Sequence, residues 1–126
     1  TNTVSTSATT TSDNYFKTSK LERDTMYSQM LETYQKVIDS ENSLETQRQS
    51  ATEEITKINN IKNSIMICEN LIGTKGFENN VIFVNGDSVT AIIGATELKQ
   101  EDIAQIQNII SRELKASIEN IHIAIK

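Results

Sequence analysis

Apolar side chains in the first third of the chain recur at three- and four-residue steps. Tyr27, Met30, Leu31, Tyr34, Val37 and Ile38 fall on one face of an amphipathic helix. The pattern predicts that helix over residues 14–42, roughly 40 Å long at ~1.5 Å per residue. Ser40, Glu41, Asn42 and Ser43 interrupt it with cap-forming side chains, and Ser43 is the predicted N-cap of a second helix. The stripe of the second helix is Ala51, Ile55, Ile58, Ile65, Cys68 and Ile72, broadened by Ile61, Met66 and Leu71. Gly73 and Gly76 supply the backbone freedom to end it.

The period then changes. The continuous run Val81, Ile82, Phe83, Val84 predicts a strand buried on both faces. Asn85-Gly86 signals a tight turn, since both residues tolerate positive φ, and a return strand follows at residues 88–93, closed by Gly94. Ile103, Ile106, Ile110 and Leu114 share one face of a third helix. Ile121, Ile123 and Ile125 alternate as a last strand, with His122 and Ala124 opposite. The fold class is α+β: a long N-terminal helix, then a helix-strand-strand-helix-strand unit over residues 43–126 with a three-stranded sheet, its second and third helices on one face. Seventeen of the eighteen Ile residues lie beyond position 50, so this unit holds the densest core.

Residues 1–13 read differently. Ser or Thr fills nine of the first twelve positions, too little apolar surface to offset the entropy of ordering, so this segment is expected to be a flexible tether. The first helix is left with a surplus stripe. It must cover the other sheet face, lie along the second helix, or meet another chain.

With 126 residues, one domain with appendages is expected. Twelve Lys and Arg stand against seventeen Asp and Glu, a net charge of −5, which argues against a surface for phosphate backbones or anionic lipid. Averaging hides no basic block: residues 13–72 hold ten acids and seven bases, and residues 73–126 hold seven and five. One Cys and one His provide neither an internal disulfide nor a typical zinc site. No apolar run approaches the roughly 20 residues that span a bilayer. The chain begins without Met and reads as a cut from something longer, with any anchor upstream.

Candidate chemistry is sparse. His122 has no nameable partner to orient it, and Cys68 sits on an apolar stripe with no activating neighbour. Glu53-Glu54 and Glu101-Asp102 are sequence neighbours that diverge by about 100° on a helix, and the second pair suits a helix first turn. No catalytic residue, metal site or cofactor is expected. Ile72-Gly73-Thr74-Lys75-Gly76 looks like the loop of KH nucleic-acid domains, which gives a single-strand-binding module using Gly73 to Gly76 as the alternative function. A helix terminus followed by a turn is the plainer reading.

Four of the six aromatics, Tyr15, Phe16, Tyr27 and Tyr34, fall within twenty residues of the first helix. They either pack on the second helix or form a binding face, as interfaces are enriched in Tyr and Phe. The residues expected to bind a partner are Phe16, Tyr27, Met30 and Tyr34, joined by Ile121 and Ile123, because a short sheet leaves unpaired edges that an added strand can satisfy.

Lys20-Leu21-Glu22-Arg23, Lys75-Gly76-Phe77 and Ser117-Ile118-Glu119-Asn120-Ile121-His122-Ile123, in this order and spacing, resemble the extracytoplasmic domain of the stage III sporulation protein AH family over residues 15–125. The resemblance implies a ring-building-type fold related to type III secretion and flagellar basal-body proteins, whose subunits pack side by side into rings. It also implies a non-enzymatic assembly role. Members are anchored in the mother-cell membrane by an N-terminal transmembrane helix and face the space around the forespore. There they bind stage II sporulation protein Q in a channel-like complex needed for engulfment and later forespore gene expression. The Ser/Thr-rich start would be the spacer beyond the anchor.

Overall fold

A computed structural model describes residues 13–126, together with the backbone of the first helix back to its start. The elements are α1 (Asn2–Asp39), α2 (Glu45–Thr74), β1 (Asn80–Asn85), β2 (Ser88–Ile93), α3 (Gln100–Leu114), a single 3-10 turn (Ile118–Asn120) and β3 (Ile121–Ile125). The fold is α+β, two helices followed by strand-strand-helix-strand, as the periodicities predict. The tether expected at residues 1–13 lies outside the described side chains except for its last residue. Asp13 accepts a hydrogen bond from Asn79 Nδ2 at 2.7 Å.

The break between α1 and α2 falls where the polar cluster places it, but its chemistry differs from expectation. Ser40 gathers the turn: its Oγ accepts from Asn42 N and its carbonyl from Ser43 N, both at 3.3 Å, and also from Arg48 Nη2 at 2.9 Å. Ser43 is thereby used in closing α1. The N-cap of α2 is Leu44, whose N–H donates to Gln47 Oε1 at 2.8 Å, so the side chain at the third helical position supplies the cap.

The sheet order is β1-β2-β3. β1 and β2 are antiparallel with Asn85 opposite Ser88, so the loop is Gly86-Asp87. Gly86 takes φ +60°, while Asn85, expected to share the turn, stays in the strand. β2 and β3 are parallel, Val89 opposite Ile121 and Ile93 opposite Ile125, with α3 as the crossover that a parallel pair requires.

Register puts Ile82, Val89, Ala91, Ile93 and Ile121 on one face, where they form one cluster with Ile58, Ile65, Cys68 and Ile72 of α2 and Ile106, Ile109 and Ile110 of α3. β1 is buried on both faces only at its start: Val81 and Ile82 are fully buried, and Phe83 and Val84 are half-buried. Of the three places open to the α1 stripe, it takes the one along α2 and reaches the β1 edge. Phe16 is 2% exposed and Tyr27 5%. Phe16 fits because Gly94 has no side chain: a Cβ there would stand 3.1 Å from Phe16 Cε2 and 2.8 Å from Asn79 Cβ. Tyr15 meets Phe16 edge to face at 5.2 Å, and Lys126 Nζ lies 4.5 Å from the centre of the Tyr15 ring, tying the N-terminal half of α1 to the residue that follows β3.

Candidate functional site

The two edges of the sheet differ. Gly94 N donates to Asn79 O at 2.7 Å, which fixes the phase of the antiparallel ladder and turns the backbone groups of Asn80, Ile82 and Val84 away from β2. Outward-facing groups of this kind normally invite another strand. Here side chains occupy those of Ile82, at the middle of the strand. Ile82 N donates to Glu69 Oε2 at 3.0 Å, and Ile82 O accepts from Arg23 Nη1 at 2.9 Å. Arg23 Nη1 and Glu69 Oε2 are themselves paired at 2.6 Å, a short charge-assisted bond. Arg23 Nε also donates to Asp24 at 3.1 Å. One residue pair further along, Asn80 Nδ2 donates to Glu69 O at 3.2 Å and Phe77 O at 2.8 Å. Burial alone would disfavour the guanidinium charge, but the hydrogen bond and charge of Glu69 outweigh it and hold the Arg23 pKa above its ordinary value.

At the opposite edge, Lys126 N donates to Ile93 O at 2.9 Å. Parallel alternation then aims the backbone groups of Ile121, Ile123 and Ile125 away from β2. The Ile121 N–H turns back to Ile118 O, and among the described residues nothing pairs with the groups of Ile123 and Ile125. Ile121 is buried, Ile123 half-buried and Ile125 47% exposed, with His122 and Ala124 exposed on the other face. This edge is therefore both unpaired and partly apolar.

The residues expected to bind a partner separate into two groups. Phe16 and Tyr27 are interior, because helical spacing aims them at Gly94 and α2, and Tyr34 is half-buried beside Ala51. The aromatic face is thus mostly used within the chain. Met30 stays exposed with Met26 at a groove of about 420 Å³ between α1, α2 and the β1–β2 hairpin, bordered by Lys57, Val84 and Asp87. Sheet order places that groove on the β1 side, away from β3, so Met30 and Tyr34 are not brought together with Ile121 and Ile123. Arg23, Glu69 and Ile125 were missed. Arg23 does interrupt the stripe Phe16, Tyr27, Tyr34 at helical spacing, and Glu69 adjoins Cys68 and Ile72, so a charge on each apolar stripe was the available signal.

Groups with catalytic potential are inert or scattered. Cys68 is fully buried, its Sγ 4.0 Å from Ile109 O, and burial pushes the thiol up to about 12. His122 is exposed. Among the described residues no three His, Cys, Asp or Glu are grouped to hold a metal ion. Asp102 Oδ2 accepts from Lys99 N at 3.1 Å, the cap of α3. The Gly73 to Gly76 segment does not make a KH loop: α2 continues through Gly73 to Thr74, and β1 follows where that module needs a helix. No described helix is long and apolar enough to cross a membrane.

The family model of the SpoIIIAH-like proteins matches residues 1–123. The chain belongs to the SpoIIIAH-like family. Its fold is shared with a chain of the solved SpoIIQ-SpoIIIAH pore forming complex, at a TM-score of 0.80 and 17% identity, over 89% of this chain and 96% of that one. No curated protein matches it. As a SpoIIIAH-like protein it is a structural interaction protein and not an enzyme.

Proposed function

We propose that this SpoIIIAH-like chain is an assembly domain that binds a SpoIIQ partner by accepting one of its strands at the β3 edge. The observation that carries this reading is the asymmetry of the sheet: β1 is capped at Ile82 by Arg23 and Glu69, and β3 presents Ile123 and Ile125 with unpaired backbone groups and apolar side chains. An added strand satisfies the N–H and C=O groups of Ile123 and Ile125, whose side chains supply apolar area beside it. The family, and a shared fold with a chain of a complex named for SpoIIQ, support the choice of partner.

In this reading the domain faces the space between mother cell and forespore, held by a transmembrane anchor upstream of Thr1, and contributes to a pore-forming assembly of repeated copies. The test is complex formation with the SpoIIQ ectodomain, followed by size-exclusion with light scattering at tens of micromolar. A complex is expected with the parent chain. Ile123→Pro should abolish it while leaving the fold intact, since the lost N–H points away from β2 and the ring blocks the edge. A folded Ile123→Pro chain that still binds overturns the strand-addition reading, and absence of any complex with the parent overturns the partner.

A further inference from the structure

We infer that Arg23 and Glu69 act as a substitute strand on β1, limiting the sheet to a single edge at which strands can be added. Two properties of the geometry carry this. Glu69 Oε2 takes the position of a strand carbonyl, accepting from Ile82 N at 3.0 Å, and Arg23 Nη1 takes that of a strand amide, donating to Ile82 O at 2.9 Å. The 2.6 Å bond between them ties the two side chains to each other beside Ile82. Arg23 comes from α1 and Glu69 from α2, so the contact also fixes the helix pair against the edge.

The consequence concerns second copies of this chain. A sheet with two open edges can join β1 of one copy to β3 of the next, a heterologous contact that propagates into open filaments. With Ile82 already satisfied, that contact is closed. Each chain accepts one strand through β3, and copies that stand side by side in any larger assembly must meet through other surfaces. This inference concerns the β1 edge alone and holds whichever strand β3 accepts.

Hydrogen exchange on the parent chain tests it directly. The Ile82 amide should exchange at least about tenfold more slowly than those of Ile123 and Ile125, although all three point away from β2. Exchange of Ile82 as fast as Ile123 overturns the proposal. The second measurement is sedimentation of the Arg23→Met/Glu69→Met double variant, which removes both charges together and leaves Ile82 without its partners. The folded variant should self-associate with rising concentration beyond the parent, and Ile123→Pro added to it should abolish the association. A folded double variant that sediments as the parent does also overturns the proposal, and if that variant does not fold, the exchange comparison decides. Neither measurement contains SpoIIQ, so failure of partner binding leaves this result standing.

Discussion

Arg23 and Glu69, 46 residues apart in sequence, meet at 2.6 Å with side chains only 7% and 9% exposed. A buried ion pair adds little net stability over apolar packing, but removing one member strands the other charge. Here it also strands the backbone of Ile82. Arg23→Ala and Glu69→Ala should each destabilise the chain by about 3–5 kcal/mol. The double Met variant should cost less than either single change. Urea unfolding followed by circular dichroism measures all three, and a double variant as unstable as the sum of the singles would contradict the coupling.

Phe16 and Gly94 predict a matched pair of effects. Gly94→Ala puts a methyl 2.8 Å from Asn79 Cβ and 3.1 Å from Phe16 Cε2, so the ring must move and about 1–3 kcal/mol is lost. Phe16→Ala leaves a cavity and should cost about 3 kcal/mol or more. Because both act on one contact, the double change should cost less than their sum, which a thermal or urea double-mutant cycle reads.

Tyr27→Ala should lower stability by about 3 kcal/mol and leave SpoIIQ affinity unchanged once the protein is folded, because the ring is 5% exposed and packs in the α1–α2 core. Melting curves and isothermal titration separate the two effects. A weakened complex with an unchanged melt would return Tyr27 to the binding face.

Cys68 gives a pH dependence. The folded thiol titrates at about 12 against an ordinary value of 9.0, so the native state keeps a proton that the unfolded chain releases. Stability is then full below pH 9 and falls as pH rises from there toward 12. Burial raises the Tyr27 phenol in the same direction. Urea midpoints taken at increasing alkaline pH should decline, less steeply in Cys68→Ala. Below pH 9 the thiol should react with disulfide reagents only on unfolding.

Lys115, the C-cap of α3, holds a left-handed backbone at φ 56° that glycine adopts without strain. Lys115→Gly should raise stability by up to about 1 kcal/mol. Differential scanning calorimetry would show it as a higher melting temperature.

Much of this fold was readable because its apolar residues keep strict periods. The alternation Ile121, Ile123, Ile125 and the run Val81 to Val84 placed the strands, and Ile106 and Ile110 placed the buried face of α3. The cap of α2 was not readable, since Leu44 has no capping atom and the bond comes from Gln47. The candidate edge was legible only in part. Ile121 and Ile123 follow from alternation, but which edge is closed depends on Arg23 and Glu69 meeting across 46 residues, and charged side chains are ordinarily assigned to solvent. The aromatic face misled for the converse reason. Phe16 and Tyr27 are spaced for a surface, and only the antiparallel approach of α2 and the missing Cβ of Gly94 make that surface internal.

β3 follows every other element in chain order and pairs with β2 only through the α3 crossover. During synthesis, the ribosome therefore delivers the helical hairpin and the β1–β2 turn first, and until Ile121–Ile125 emerge it is β2 that stands bare at the margin. A polypeptide stalled just short of that point would offer the wrong border, with Val89, Ala91 and Ile93 uncovered, to whatever strand it met.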